Sequence, residues 1–293
     1  MTQRQLAVSA GALIACAVGL AVLANGIRSS FGLFLAPVTA AHAWTGSGFA
    51  FAIAVQILLN GATQPLWGQV ADRLGGRPVL IIGAALYAIG ILGMALAENL
   101  GVFTFFAGVV LGLAVSAAGT PTISAALTRL LPPEMRGRAV GLSTAGSSAG
   151  QFLVVPAASL AIGLWGWQGA LLALAAAALL IIPLALPVSD RPQPRPAGAP
   201  QEETARAALS RAFRDPSFWF LFSGFFVCGL HVSFMGVHMP GFVHSCGLPD
   251  YVGAASISLI GLFNIAGSLV AGELSSRWRR KELLVMIYAS RGV

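Results

Sequence analysis

The chain has 293 residues, of which 57% are hydrophobic and only 9% charged, and its mean hydropathy is +0.82. A soluble globular protein carries about a quarter charged residues, so that class is excluded. The net charge of +7 does not call for a nucleic-acid partner, because the basic residues collect in particular connections between apolar runs. Three cysteines, Cys16, Cys228 and Cys246, fall in separate segments and suggest neither a disulfide nor a metal site.

Residues 5–71 contain one charge, Arg28, and read as two membrane spans, 8–36 and 47–71, parted near "TAAHAWTG". The first is too long an apolar stretch for a cleaved signal peptide, and Arg28 and a further apolar run follow it directly. Between Arg77 and Glu98 lie 20 uncharged residues. At about 1.5 Å each, that length of helix covers the roughly 30 Å hydrocarbon core of a bilayer. The remaining spans are expected at 78–97, 101–128, 139–163, 168–187, 217–242 and 251–273, with another beginning at 283. "GLWGWQG" is the turn between the fifth and sixth. The proline-rich start of 188–216 is unsuited to a packed element, whereas Glu202 to Phe213 suits a short helix on the membrane surface. Gly108 with Gly112, and Gly146 with Gly150, read as sites of close helix packing.

Fifteen basic residues fall on alternate connections, and the opposite connections (39–46, 98–100, 164–167 and 243–250) hold no Lys or Arg. Basic loops stay in the cytoplasm, which places the amino terminus there and makes the protein a multi-pass component of a cell (inner) membrane. Self-similarity gives the organisation. "GQVADRLGGR" at 68–77 aligns with "GELSSRWRRK" at 272–281, and Asn60 with Asn264, at an offset of 204. "RSSFGLFLAP" at 28–37 matches "HVSFMGVHMP" at 231–240, an offset of 203. A parallel duplication of six-span units with the solute site between halves is a transporter plan.

"GQVADRLGGRPVL" resembles the signature between the second and third helices of the major facilitator superfamily: Gly68, Asp72, Arg73, Gly75 and Arg77 fit, whereas Gly76 and Pro78 depart from the commoner basic pair. Gly68 suits close helix approach, Gly75 suits a positive φ, and Asp72 is an anion suited to the positive N-terminus of a neighbouring helix. The resemblance implies a cytoplasmic latch in alternating access; a solvated topogenic loop is the plainer alternative. "LTRLLPPEMRGRAVGLSTAGSSAGQFLVVP" and "LIGLFNIAGSLVAG" are similar to the bacterial monocarboxylate-transporter-like branch. That branch implies an aspartate and, four residues on, an arginine in the eighth helix, where this sequence has Asn264 and Ser268.

The expected fold is thus an all-α integral membrane protein of major facilitator type. Residues 1–187 form a six-helix bundle, 188–216 a cytoplasmic linker, and 217–293 an incomplete second bundle ending in the ninth span. The candidate solute-binding residues are Arg28, His231, Asn264 and Gln56. Arg28 either holds an anion in a cavity or, if the first helix ends near Ile27, snorkels at the outer face. His231 is its repeat partner and suits proton coupling or hydrogen-bonded packing; the two are expected to face each other across the axis between halves. Asn264 and Gln56 line the cavity or cross-link helices. The expected activity is secondary transport of small anionic organic solutes, proton-coupled, by a monomer without cofactor or metal. Efflux of amphipathic or aromatic compounds is the alternative. No nucleophile–base or carboxylate-pair constellation points to an enzyme.

Overall fold

The computed structural model describes residues 3–188, 205–277 and 280–290, and every regular element among them is helical. Helix α1 (Gln3–Ser30) passes through a 3-10 turn (Phe31–Phe34) into α2 (Leu35–His42). The first span therefore runs past residue 36. Pro37 lies in the first turn of α2, where a missing N–H costs no helical hydrogen bond. Ala43, at φ 52, ends the stretch, and the Thr45 hydroxyl caps α3 (Gly46–Leu74) by accepting from Gly48 N at 3.3 Å. Gly75, at φ 90, turns the chain into α4 (Gly76–Ala95), the positive φ expected of it.

Asn99 caps α5 (Leu100–Thr104), its Oδ1 accepting from Val102 N at 2.9 Å. The fourth span continues through a π-helical turn (Phe105–Val110) and α6 (Leu111–Ala117), breaks at Ala118 and Gly119, and resumes as α7 (Thr120–Leu130) with Pro121 in its first turn. The long α8 (Pro133–Leu179) is two helices meeting at Gly166, φ 70 and ψ 174, within the expected "GLWGWQG" turn, and α9 (Ile181–Ala185) completes the sixth span. Then come α10 (Ala205–Arg214), α11 (Pro216–Ser245), α12 (Asp250–Arg277) and α13 (Arg280–Ser290). Of the expected linker, the proline-rich stretch 189–204 lies outside the described residues, whereas α10 matches the expected short helix. Seven helical stretches among the described residues are long and apolar enough to cross a membrane, Pro133–Ala185 counting once although Gly166 divides it.

Hydrocarbon tails are as apolar as leucine, so association inside a bilayer rests on close packing rather than on apolar burial. The glycines show where this happens. A Cβ on Gly150 would strike the backbone of Val22, and one on Gly146 would stand 3.1 Å from Val18 O. On the α1 side, a Cβ on Gly26 would come within 2.7 Å of Gly150 O. Helices α1 and α8 therefore touch through backbone. The same holds for the fourth span on α3, where Cβ atoms on Gly108 and Gly112 would each lie 3.0 Å from a carbonyl oxygen, of Ala52 and Gln56 respectively. Around these seams Phe34, Phe49, Tyr87 and Phe103 are fully buried. Gly68 behaves differently from the expectation of close approach: nothing lies within 4 Å of its Cβ position, because the packed face of this end of α3 is the one that carries Ala71 against Val79 and Ala117.

Among the described residues, the first six spans meet α11 and α12 as follows. Gly32 of the 3-10 turn lies against Gly236 O of α11, and Leu35 of α2 against Gly241. Val155 packs with Ala254 and Ile257, and a Cβ on Gly261 would lie 2.9 Å from Ser148 O. All of these residues except Ser148, which lies near the middle of its span, sit in the part of the helix farther from the basic connections. Toward the basic end, Phe222, Phe225 and Phe226 of α11 and Phe263 of α12 are exposed.

Candidate solute-binding cavity

Arg28 lies near the middle of the helical stretch Ala10–His42. The helix does not end near Ile27, so this residue is not carried out to a terminus. A charge in mid-bilayer costs about 2.5–3.5 kcal/mol on insertion scales and is found facing a cavity or a partner. Among the described residues no carboxylate pairs with Arg28. It lines two adjoining cavities instead. One, of about 150 Å³, lies between the halves and is bounded on the polar side by Asn25, Arg28, Gln56, Gln151 and Ser233. The other, of about 250 Å³, lies within the first half, among Asn25, Arg28, Asn60, Gln64, Tyr87 and Thr120.

Local structure fixes these side chains. Asn25 Nδ2 donates to Ser147 O at 2.7 Å, tying α1 to α8, and the Ser147 and Thr120 hydroxyls pair at 2.9 Å. Tyr87 OH donates to Ala24 O at 3.0 Å one turn before Arg28. Gln151 Nε2 donates across the halves to Ile257 O at 3.1 Å, and Ser258 Oγ to Phe152 O at 2.9 Å. Among the described residues that line these two cavities, two buried side-chain atoms have no protein partner: Gln56 Nε2 and Asn60 Oδ1. Gln56 is only 3% exposed. An unpaired buried polar atom costs about 1–3 kcal/mol.

Of the sequence-selected residues, the structure brings Arg28 and Gln56 together and leaves the other two apart. His231 is exposed and is not among the residues lining the Arg28 cavity; Val232, Ser233, Gly236 and Val237 present α11 to it. The expected Arg28–His231 opposition is therefore replaced by Arg28–Ser233. The close crossing of Gly32 on Gly236 sets the rotation of α11, and His231 stands two residues, about 200°, from Ser233. Asn264 is exposed on α12 beyond the region of contact between halves. Gln64 and Gln151 escaped the sequence reading, although Gln56, Asn60 and Gln64 recur every four residues, a pattern visible in the chain.

The motif at the end of α3 has a specific partner. Asp72 Oδ1 accepts from Arg129 Nη1 at 2.7 Å, joining the ends of α3 and α7. The expectation of a helix N-terminus facing Asp72 is corrected to a guanidinium, which sequence separation had hidden. Arg73 is exposed, while Arg77 is half-buried at the start of α4.

A multi-pass helical bundle with a polar cavity around one cation, between the two halves, defines the class of membrane protein. The particular family follows from comparison. The model of the Major Facilitator Superfamily matches residues 14–293. Monocarboxylate transporter 11 of Homo sapiens is 28% identical over 270 residues, covering 90% of this chain and 55% of that protein. The Fujikurins efflux protein of Gibberella fujikuroi is 25% identical over 240 residues, covering 80% of this chain and 50% of that protein. In fold, the chain is similar to a bacterial homologue of the human lysosomal transporter Spinster, with a TM-score of 0.68 at 17% identity, covering 93% of this chain and 64% of that one. The chain belongs to the Major Facilitator Superfamily, and it spans about half the length of the curated relatives it matches.

Proposed function

We propose that this chain forms the solute-binding part of a secondary transporter for small organic anions, working by alternating access and not by catalysis. The observation that supports the reading is Arg28, a mid-span cation with no carboxylate partner among the described residues, beside an orphaned donor, Gln56 Nε2. A guanidinium takes a carboxylate through two parallel hydrogen bonds, and in a water-poor cavity that contact is strong. The similarity to a protein named as a monocarboxylate transporter agrees with this class of solute.

Orientation, coupling and gating complete the proposal. The basic connections lie in the cytoplasm, with the amino terminus and the linker 188–216, in an inner membrane and as a monomer. The contacts between halves then close the outer end, so the arrangement is inward-facing. Residues 1–187 move against 217–293, and Gly68, Asp72, Arg73, Gly75 and Arg77, with Arg129, hold the cytoplasmic end of the first half in register. Protons are the coupling ion. The sequence of α11 has three histidines and no carboxylate, and His231, the repeat partner of Arg28, is the proposed titratable group, approached by the cavity as the halves rock. Asn264 joins the cavity in the same movement.

The test is uptake of radiolabelled organic acids into membrane vesicles carrying the protein. Arg28→Gln abolishes uptake, Arg28→Lys retains charge with weakened affinity because the bidentate geometry is lost, and His231→Gln removes stimulation by a proton gradient. Normal uptake of organic acids by Arg28→Gln overturns the anion assignment. A second reading, efflux of amphipathic compounds, draws on a mostly apolar cavity of about 530 Å³ between α2, α8, α11 and the start of α12, and on the likeness to an efflux protein. Export of a dye but of no organic acid by the same vesicles selects it.

A further inference from the structure

Three amides stand along one face of α3 at four-residue spacing: Gln56, Asn60 and Gln64. Residues four apart in a helix lie one above another, so the three form a ladder about 12 Å long. Gln56 lines the cavity on one side of Arg28, and Asn60 and Gln64 line the cavity on the other. The ladder has unmet hydrogen-bonding capacity at Gln56 Nε2 and Asn60 Oδ1, both buried. A carboxylate held by Arg28 satisfies the first, being an acceptor. It cannot satisfy the second, because an ionised carboxylate donates nothing. Asn60 Oδ1 requires a donor, and either way an amide is turned it presents one acceptor and one donor face. Groups that both donate and accept, namely hydroxyls, match such a ladder. The cavity into which Asn60 and Gln64 project also offers Thr120 and Tyr87, and its volume of about 250 Å³ leaves room for a multi-carbon tail beyond the carboxylate. An alkyl tail there leaves Asn60 Oδ1 as unpaired as it is in the empty cavity, whereas a hydroxyl gains a hydrogen bond to it.

We propose that the Gln56–Asn60–Gln64 ladder selects a polyhydroxylated organic acid, a sugar acid, over a simple aliphatic monocarboxylate of the same length. This rests on the reading of Arg28 as the carboxylate site. The hydroxyls along the tail donate to Asn60 Oδ1 and exchange hydrogen bonds with the Gln64 amide, while Arg28 and Gln56 Nε2 hold the carboxylate end.

The experiment is equilibrium binding of radiolabelled D-gluconate and hexanoate to the purified full-length chain in detergent, with Asn60→Leu, Gln64→Leu and Arg28→Gln. Leucine matches the amides closely in size and removes only their polarity. Gln64 is exposed, so its replacement does not threaten folding, and monodispersity on gel filtration checks the others. The wild-type chain binds gluconate at least about tenfold more tightly than hexanoate, the worth of one buried hydrogen bond left unmade. Asn60→Leu and Gln64→Leu each lower gluconate affinity while hexanoate affinity holds or rises. Arg28→Gln loses both acids. Equal binding of the two acids by the wild type, or a gluconate preference that survives both leucine variants, overturns the ladder and leaves the anion site standing. Failure of the wild type to bind either acid, or binding unchanged in Arg28→Gln, overturns the anion reading and the ladder with it.

Discussion

Gly150→Ala is the smallest change that probes the seam positioning Arg28. The added Cβ meets the backbone of Val22, with Val22 C and Cα each at 2.8 Å, so no flexible side-chain end is there to give way. The helices must part, and the neighbouring contacts at Gly146 and Gly26 part with them. Overpacking of this kind costs about 1–3 kcal/mol. Exchanging glycine for alanine inside a helix returns about 0.5–1 kcal/mol, so the net loss is about 0.5–2 kcal/mol. Gly141, two and a half turns earlier on α8, provides the control, since nothing lies within 4 Å of its Cβ position. Gly141→Ala therefore shows the helix-propensity gain alone. Unfolding of the purified protein in mixed micelles with increasing sodium dodecyl sulfate, followed by circular dichroism, measures both. Gly150→Ala falls below wild type and Gly141→Ala rises to or above it, a separation of about 1–3 kcal/mol. Because Arg28 lies less than two turns from Val22 on the displaced helix, solute affinity falls in Gly150→Ala alone. Equal stability of the two alanine variants refutes the backbone seam.

Two further outcomes are expected. The Asp72–Arg129 pair is exposed, the side chains being 71% and 27% accessible, and exposed pairs are worth about 0.2–1 kcal/mol, so Asp72→Asn slows transport by no more than about fivefold, with a matching coupling energy in the double variant with Arg129→Gln. A loss of several hundredfold, measured by vesicle uptake, shows that the aspartate acts through another partner. A membrane-impermeant maleimide applied to intact cells labels Cys246, exposed after α11, and does not label a cysteine placed at Arg138; the reverse pattern inverts the orientation.

The spans and their turns are written in the chain itself. Hydropathy is a local property, and a run of some twenty apolar residues has no other way to satisfy its backbone in a bilayer than as helix, so α3, α4, α11 and α12 stand close to their expected limits. Turn glycines are local too: Gly75 and Gly166 take the positive φ that their setting between apolar runs suggests. Arg28 stood out because a lone charge in 67 residues is conspicuous without any neighbour to explain it. What only the tertiary structure decided is which face of each helix meets which. A repeat offset pairs His231 with Arg28, yet rotation about α11 is set by the Gly32–Gly236 crossing, and two residues of difference turn the histidine away and bring Ser233 in. Asp72 and Arg129 are 57 residues apart, and only the packing of α3 beside α7 makes them a pair. Gln64 became part of a site only when α1 laid Arg28 against the same face of α3. Spacing along a helix fixes which residues share a face, but the backbone contacts between helices determine what that face confronts.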